Sequence, residues 1–318
     1  MLMMTVPIVA SVHFMCPTCG EDLLVAAGGL RCTNGHLTNI AKEGHIHLLP
    51  PTKGDASALA ANEALVRAQR AFYEAGGFAM QADAVAGEVY RALAASPDFS
   101  HQASAMHVLN AGCGEGLFLR RLAQRLQEEG VGVGGLWGTD TSKLAVRYAA
   151  RRHRDARFAV CSPHRLPFRD GSMDLVFSAF SPSPWEEFCR VLRPGGAVVV
   201  ARAGRRHLSE LTRTGVGPSA DAAEPKQVAA GLAENYVRAT SEEAYAGPAA
   251  ASLLEMAAGM GYAARPDELL VTDAGGAADG SAGGAGGGGE SVRLARPVTV
   301  DVIVSTHRVW LGTGGEPL

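Results

Sequence analysis

The middle of the chain contains apolar segments with two periods, one that fits strands and one that fits helices. The stretch AMHVLNAGCGEGLFLRRLAQRLQEEG begins with a short apolar run and then turns through several glycines. It continues with leucines at roughly helical spacing: Leu117, Leu119, Leu122 and Leu126. Apolar residues at this spacing share one face of a helix, whereas a short apolar run before glycine is typical of a buried strand. The pattern predicts a strand, a glycine turn and a helix in succession.

The same alternation continues to about residue 205. GVGGLWGTDTS predicts a second strand that ends at Asp140, and ARFAVCSPHRLPFRDGSMDLVFSAF predicts a third and a fourth strand. EEFCRVLRPGGAVVVARA predicts a helix, a Pro-Gly-Gly stop and a fifth strand. Strands that alternate with helices form a parallel sheet. The predicted fold class is therefore α/β, a doubly wound, Rossmann-like sheet with helices on both faces.

The C-terminal region contains further predicted elements on either side of a low-complexity segment. SLLEMAAGM and residues 223–233 favour helices, and RPVTVDVIVSTHRVW alternates like a strand. The segment DAGGAADGSAGGAGGGGES, residues 273–291, has almost no side chains that could pack, which is typical of a flexible linker. We interpret it as the overgrown hairpin loop between the last two strands of the sheet. Such a loop should tolerate deletion.

Length and composition favour two folded units and no membrane segment. The chain has 318 residues, of which 47% are hydrophobic and 19% are charged, as in globular proteins. No apolar run reaches the roughly 18 residues that a transmembrane helix needs. The apolar opening MLMMTVPIVASVHFM lacks the basic leader of a targeting segment. We expect a small domain at 11–49, a helical linker at 50–100 and a large domain at 101–318.

Three of the six cysteines cluster near the N-terminus, and a histidine completes the group. Cys16, Cys19, Cys32 and His36 have the spacing C-x2-C-x12-C-x3-H. Structural zinc is bound tetrahedrally by four such ligands. Between the two halves, EDLLVAAGGLRC predicts two short strands about a Gly-Gly turn. The pattern predicts a zinc ribbon, and because the protein supplies all four ligands, the ion should be structural.

The sequence of this region allows two other interpretations. A redox pair at Cys16 and Cys19 would need a strand before it and a helix after it, and it would not need the matched second half. His45 and His47 could compete with His36 as ligands, but both follow the second half of the spacing. We expect them to face solvent or to line a surface.

The glycine turn fits one kind of nucleotide cofactor. Gly112, Gly114 and Gly116 form G-x-G-x-G, whereas the dinucleotide fingerprint G-x-G-x-x-G would need glycine where Leu117 stands. A tight turn that admits a zwitterionic group fits S-adenosylmethionine (SAM) better than a dinucleotide. Asp140 ends the next strand, where an acidic side chain can accept hydrogen bonds from both ribose hydroxyls. The pattern therefore indicates a SAM-binding domain and argues against a nicotinamide oxidoreductase.

These segments resemble known enzymes. VLNAGCGEG, GTDTS, HRLPFRDGSMDLVFS and RVLRPGG resemble class I SAM-dependent methyltransferases over about residues 105–205. With the ribbon, AKEGHIHLLP, RAQRAFYEAGGF and RRHLSEL, the chain is similar to the RlmA family of large-subunit rRNA guanine-N1 methyltransferases over about residues 14–256. The resemblance implies that 101–318 is the methyltransferase domain and that the ribbon binds RNA.

The resemblance also implies roles for particular residues. Cys16, Cys19, Cys32 and His36 would bind a structural Zn²⁺. The residues implied in SAM binding are Asn110, Gly112, Gly114, Glu115, Gly116, Asp140, Ser162 and His164. The chain departs from the family's pattern in three places: Asn110 replaces an acidic residue, Gln69 replaces an arginine, and a methionine-threonine-proline segment is reduced to Met256-Ala257-Ala258. These departures affect the substrate pocket more than the cofactor site.

We expect an enzyme that transfers a methyl group from SAM to N1 of a guanine in a hairpin of large-subunit (23S-type) rRNA. A base must remove the N1 proton, and His164 is the candidate by residue type. Its role beside adenine is favoured, so no catalytic residue is assigned. Two alternatives are open: a SAM methyltransferase for a small molecule or another RNA, and a non-catalytic RNA-binding protein that contains SAM and zinc.

The charge pattern indicates where RNA would bind. The formal net charge is −3, but Lys and Arg outnumber Asp and Glu by eleven to five between Leu117 and Asp170. The run RYAARRHRDAR, residues 147–157, with Arg67 and Arg70 could contact phosphates; the alternative is a solvated helix face with ion pairs. The expected partner is large-subunit rRNA, with no membrane contact, and a homodimer is left open. We expect a cytoplasmic protein, or one of an organellar stroma if the source is a eukaryotic alga.

Overall fold

The computed structural model describes residues 14–49, 56–96, 99, 105–211, 233–260, 262, 270–273, 291–294 and 297–309. The predicted helix at 223–233 lies outside the described residues except for Ala233, which begins a strand. The glycine-rich residues 274–290 also lie outside them. No helix within the described ranges is both long enough and apolar enough to cross a bilayer.

The elements follow the predicted alternation. The N-terminal strands are β1 (Leu24–Ala26), β2 (Gly29–Arg31), β3 (Leu37–Thr38) and β4 (Ile46–His47). The central strands are β5 (His107–Ala111), β6 (Gly135–Asp140), β7 (Ala156–Val160), β8 (Met173–Ala179) and β9 (Leu192–Ala203). The C-terminal strands are β10 (Ala233–Glu243), β11 (Leu270–Asp273), β12 (Ser291–Leu294) and β13 (Val298–Arg308). The helices are α1 (Ala56–Glu74), α2 (Ala79–Ala94), α3 (Leu117–Glu128), α4 (Lys143–Arg152), α5 (Trp185–Val191) and α6 (Gly247–Gly259), and one 3-10 turn spans Ser209–Leu211.

An eight-stranded sheet forms the centre, in the order β10-β13-β9-β8-β5-β6-β7-β4. The strands from β4 to β9 pair in parallel, and β13 pairs antiparallel with both β9 and β10. Successive residues of β5 enter opposite cores: Val108 packs with α2, α3 and α6, whereas Leu109 packs with α5 and the ribbon. Because both faces are covered, all seven residues of β8 are buried. The predicted α/β class with a doubly wound sheet is confirmed.

The C-terminal strands differ from the prediction in one respect. β11 and β12, which flank the glycine-rich segment, pair with each other in a separate two-stranded sheet. The expectation that this segment joins the last two strands of the main sheet is therefore wrong. Those strands are β10, which was not predicted, and β13. β13 is buried along almost its whole length, so it lies between two partners inside the sheet.

The segment expected to be a helical linker forms two helices, and both contribute buried residues to the main core, among them Phe72 of α1. Val85 and Val89 of α2 are buried with residues of the central sheet. β4, at the end of the ribbon, adds to the sheet edge: Ile46 and His47 pair in parallel with Ala159 and Val160 of β7. Ribbon and sheet therefore share hydrogen bonds as well as a core. The proposed domain boundaries at 49 and 100 stay a prediction.

Candidate functional site

The four predicted zinc ligands lie together in the ribbon. The ligand atoms of Cys16, Cys19, Cys32 and His36 are all within 4.8 Å of one another. Cys19 Sγ and Cys32 Sγ are 3.6 Å apart, and Cys32 Sγ is 3.3 Å from His36 Nδ1. Three thiols and one imidazole at these distances fit the closed tetrahedral site of a structural Zn²⁺. The first two strands form a hairpin as predicted, but Ala26 pairs with Gly29, so the turn consists of Ala27 and Gly28 rather than of the two glycines.

The surroundings of the thiols favour metal binding at Cys19. Hydrogen bonds from the backbone N–H of Glu21 and from the Asn34 side chain lower the pKa of the Cys19 thiol to about 6. Burial raises the pKa of Cys32. Thiolate is the form that binds a metal, so Cys19 is prepared for the ion and Cys32 would be deprotonated by it.

The ribbon packs closely against the large sheet. The Phe14 ring meets the Trp137 ring edge-on, with 5.0 Å between centroids. Met15 N donates to Pro167 O over 2.8 Å, and Arg169 Nε donates to Asp22 Oδ1 over 2.8 Å. The aromatic packing is the larger contribution, since an exposed ion pair such as that of Arg169 stabilises by at most about 1 kcal/mol.

His45 differs from the expectation that it faces solvent. It is 3% exposed, because β4 adds to the sheet edge immediately after it. Burial lowers its pKa, and its Nδ1 has no hydrogen-bond partner among the described residues. His47 is exposed, as expected. Neither belongs to the metal cluster found in the described chain.

The glycine turn after β5 has a geometry that needs glycine. Gly112 has φ +72°, and a Cβ there would lie 1.9 Å from Ser181 Oγ. Gly116 has φ +93°, and a Cβ there would lie 2.9 Å from the His153 ring. Gly112 N donates to Thr139 O over 2.7 Å, which ties the turn to β6. The turn therefore packs directly against Ser181 and His153, and because its glycines have no side chains, its backbone can come close to a cofactor.

Asp140 lies at the end of β6 with both carboxylate oxygens engaged by backbone. Oδ2 accepts from Gly114 N over 2.9 Å, and Oδ1 accepts from Ser142 N over 2.8 Å. Burial raises the pKa of Asp140, and these N–H groups oppose the rise. Each oxygen keeps a second acceptor site. Asp140 can therefore brace the glycine turn and still accept hydrogen bonds from a ribose.

A cleft opens at the C-terminal edge of the sheet, where α/β folds bind ligands. It is lined by Gly112, Thr139, Asp140, Thr141, Cys161, Pro163, Ser181 and Pro182. Of the residues predicted to bind SAM, Gly112 and Asp140 line it. Ser162 and His164 flank the lining residue Pro163; His164 N donates to Ser162 Oγ over 3.2 Å, and the His164 side chain is exposed.

Several cleft residues were not identified from the sequence, among them Thr139 and Ser181. A signal existed for Ser181, because it follows the C-terminal end of β8, the place expected to face a ligand. Thr139 precedes the predicted Asp140 and is buried. The Thr139 side chain had no local signal, since only the pairing of β6 with β5 and β7 brings it to the cleft.

Asn110 and Glu115 have different surroundings from those of the cleft residues. Asn110 is fully buried; its Nδ2 donates to Phe177 O over 3.2 Å, and its Oδ1 accepts from no group in the described ranges. A buried acceptor without a donor is costly, and an ammonium group would satisfy it. Glu115 instead faces Arg152, 3.3 Å away, and burial raises its pKa to about 7. The structure does not bring Glu115 to the cleft wall.

Family models match both parts of the chain. Residues 108–196 match a model described as a methyltransferase domain, and residues 14–54 match one described as the N-terminal part of RlmA, a zinc ribbon. The first range contains the glycine turn, Asp140 and the end of β8. The second contains all four zinc ligands.

Curated relatives extend these matches. A 23S rRNA (guanine(748)-N(1))-methyltransferase of Streptomyces fradiae is 35% identical over 204 residues, 63% of this chain and 66% of the relative. A relative from Micromonospora griseorubida, whose name gives the same guanine-N1 activity, is 34% identical over 232 residues, 66% of this chain and 73% of the relative. The chain belongs to the 23S rRNA (guanine-N1)-methyltransferase family. A member from Bacillus subtilis (strain 168) is 32% identical over 201 residues, 62% of this chain and 67% of that protein.

Membership of the 23S rRNA (guanine-N1)-methyltransferase family explains the two sites together. The methyltransferase domain uses SAM, and the residues around the cleft fit it: a glycine turn and an aspartate at the end of β6. The ribbon contains a Cys3His set that fits zinc. The chain is thus a SAM-dependent methyltransferase with a structural metal site, as the resemblance implied.

Proposed function

We propose that this protein transfers a methyl group from SAM to N1 of a guanine in a hairpin loop of large-subunit rRNA. The observation that carries the proposal is the joint occurrence of the cofactor cleft and the Cys3His ribbon in a chain of this family. Guanine N1 lies on the Watson–Crick edge, so the base must be unpaired before it can react. A hairpin loop supplies an unpaired guanine at lower cost than a duplex.

The chain's own residues suit a cofactor that is held by backbone and a few polar groups. Gly112 and Asp140 line the cleft, and Gly114 N fixes the Asp140 carboxylate. Asn110 Oδ1 is buried and has no donor among the described residues, and we infer that it accepts from the ammonium group of the methionine portion. We infer that Ser162 and His164 flank the adenine. We also infer that Gly116 allows the glycine turn to pack against His153. When bound, SAM supplies an electrophilic methyl carbon and retains the electrons of the broken carbon–sulfur bond.

Loss of the guanine N1 proton needs an acceptor, which can be a side chain or solvent. N1 uses the electron pair left by this proton to bond the methyl carbon. His164 is exposed and adjoins the cleft through Pro163. We assign it no catalytic role, because its distance from any base-binding surface is not fixed by a contact. Positioning of the two reactants supplies most of the catalysis.

The basic run at 147–157 is only partly free to contact RNA. Arg152 forms ion pairs with Glu74 and Glu115, whereas Arg147 and Arg151 are exposed on α4. Arg67 pairs with Glu63, and Arg70 pairs with Glu74 while its guanidinium lies over the Tyr148 ring, 4.1 Å from the centroid. Arg154 donates to Glu43 O over 3.5 Å. Of the arginines on α4 and α1, Arg147 and Arg151 therefore remain as the proposed phosphate contacts; the Arg147 guanidinium also lies 6.0 Å from the Tyr148 ring centroid.

The double variant Arg147→Gln/Arg151→Gln tests this surface. RNA affinity should fall severalfold, and the slope of log affinity against log salt should become shallower by about 1–2, because about two fewer counterions are released. Arg121→Gln/Arg125→Gln is the matched control, since it removes two arginines whose charges are already paired with Asp83 and Glu129. Equal salt slopes in both variants would refute the assignment.

The main test is methyl transfer from labelled SAM to protein-free large-subunit rRNA. The RNA is digested to nucleosides, which are identified by mass spectrometry, and protected fragments map the site. Label in 1-methylguanosine is the expected result. SAM binding without incorporation into any RNA would refute the proposal and favour the small-molecule and non-catalytic alternatives. The altered segment Met256-Ala257-Ala258 favours the first of these, and Asn110 favours the second.

The proposed substrate also bears on where the protein works. An enzyme that modifies large-subunit rRNA must act where ribosomes are assembled, which we infer to be the cytoplasm, or an organellar stroma in a eukaryotic source. Tagged protein should co-sediment with ribosomal precursors. A homodimer would be detected by light scattering of the purified protein.

A further inference from the structure

Three residues with an unusual backbone conformation converge beside the cofactor cleft. Among the described residues, the non-glycine residues with positive φ are Phe78 (+58°), Phe180 (+53°) and Leu208 (+50°). The Phe180 ring stacks on the Phe78 ring with 6.0 Å between centroids, and on the ring of His207, the neighbour of Leu208, with 5.5 Å. Side chains rarely adopt this conformation, and where they do the strain tends to lie at functional sites.

Phe180 is the exposed member of this group. Its side chain is 37% exposed, more than any other phenylalanine, tyrosine or tryptophan whose side chain the structure describes. Phe78, Phe118 and His207 are buried around it, and we call these four rings the aromatic cluster. A ring supported by buried rings on one side and open on the other is a rigid apolar surface.

The position of Phe180 relates it to the methyl donor. It follows β8 directly at the C-terminal edge of the sheet, and its N–H donates to Ala201 O over 2.9 Å, which fixes it beside β9. The next two residues, Ser181 and Pro182, line the cofactor cleft. Ser181 also packs so closely on Gly112 that a Cβ there would clash. Phe180 is thus adjacent in the chain to two residues of the cleft wall.

Positive charge lies next to the aromatic cluster. Arg205 and Arg206 are exposed, and they follow β9 and precede His207 in the chain. Arg206 N donates to Asp301 Oδ2 over 3.1 Å, which anchors this turn to β13. Guanidinium groups bind phosphates. An exposed ring with cations beside it is the combination by which proteins bind unstacked nucleotides.

We propose that Phe180 is the stacking surface for the target guanine, with Arg205 and Arg206 contacting the phosphates on either side of it. This inference rests on the proposed function, since it assumes that the substrate is a nucleobase. A guanine that leaves its neighbours loses stacking, and the Phe180 ring replaces that contact while the Watson–Crick edge faces the cleft. Phe180 positions the base and takes no part in bond formation.

Two substitutions distinguish the effect of the aromatic face of Phe180 from the effect of its size and apolar character. Phe180→Leu keeps an apolar side chain but removes the aromatic face, whereas Phe180→Tyr keeps the face. With a hairpin that contains the mapped guanine, kcat/KM of Phe180→Leu should fall about tenfold, equivalent to about 1.4 kcal/mol, and Phe180→Tyr should remain within about twofold of wild type. SAM affinity, measured by calorimetry, should be unchanged in both.

A second readout reports stacking without turnover. The target guanine is replaced by 2-aminopurine, whose fluorescence is quenched when it stacks. The complex with Phe180→Leu should be brighter than the complexes with wild type and Phe180→Tyr. Equal brightness and equal kcat/KM in all three proteins, with wild type active, would overturn the stacking assignment alone. Wild type that methylates no guanine would instead refute the proposed function, and the assignment with it.

Discussion

At the scale of single residues, the cofactor turn depends on the absence of a side chain at position 112. Gly112 combines a positive φ with a 1.9 Å approach of its missing Cβ to Ser181 Oγ, so both backbone and packing exclude any other residue. The G-x-G-x-G pattern predicted a tight turn here, but its contact with Ser181 could not be predicted, because the two residues follow different strands, β5 and β8.

Gly112→Ala should raise the dissociation constant for SAM by tenfold or more, because the turn must move away from the end of β8. Calorimetry measures the affinity. Gly87→Ala is the matched control: Gly87 has no atoms within 4 Å of its missing Cβ and lies within α2, so alanine should leave SAM binding unchanged and stabilise by up to about 1 kcal/mol. Wild-type affinity in Gly112→Ala would contradict the proposed role of the turn.

Glu115 gives a prediction about pH. Burial, opposed by Arg152, raises its pKa to about 7 in the folded protein, from an ordinary value near 4.5. Between these two pH values the folded state binds more protons than the unfolded state, so stability falls as pH rises through the window. Glu115→Gln removes this dependence. The free energy of unfolding of Glu115→Gln, taken relative to that of the wild type, should therefore rise by up to about 3 kcal/mol from pH 5 to pH 8.

Urea unfolding at the two pH values measures this difference. Glu128→Gln, at an exposed carboxylate on α3, the helix that follows Glu115, is the control for loss of one charge and should keep the pH dependence of the wild type. The same stability difference between wild type and Glu115→Gln at pH 5 and pH 8 would show that the carboxylate is not desolvated.

At the scale of elements, β4 makes the ribbon part of the main sheet. The spacing of the cysteines predicted the ribbon. Nothing in the sequence predicted that Ile46 and His47, which follow the metal ligands in the chain, would pair with β7. Leu48 N then donates to Val160 O over 2.8 Å, one residue before the cleft residue Cys161. The metal site is therefore connected to the cofactor cleft through two adjacent strands.

Loss of zinc should consequently weaken both the ribbon and the cleft. In Cys19→Ser, bound zinc measured by atomic emission should fall well below one ion per chain, the melting temperature should drop by several degrees, and SAM affinity should fall modestly. Cys189→Ser is the control, because Cys189 lies outside the metal cluster and only partly buried on α5. Full zinc content in Cys19→Ser would show that the ligand set is wrong.

At the scale of the whole molecule, the glycine-rich segment separates two strands that need only a short connection. Asp273 of β11 pairs with Ser291 of β12, so a two-residue turn can close the hairpin. Replacing residues 274–290 by Asn-Gly should preserve SAM binding and methyl transfer, and the shorter loop should stabilise by about 1–2 kcal/mol. Thermal unfolding measures the stability, calorimetry measures SAM binding, and the assay with labelled SAM measures methyl transfer. A variant with a scrambled segment of equal length is the control. Loss of activity in the short variant alone would give the segment a function.

Local patterns in the sequence determined the parts of this protein whose residues are close in the chain: the four zinc ligands, the glycine turn, Asp140 and the alternation that builds the sheet. Tertiary structure decided the rest. The pairing of β4 with β7, the place of β13 between β9 and β10, the ion pairs that engage Arg152, and the aromatic cluster around Phe180 all join residues far apart in sequence. Such contacts depend on which faces are buried together, and periodicity along one segment contains no information about its partners.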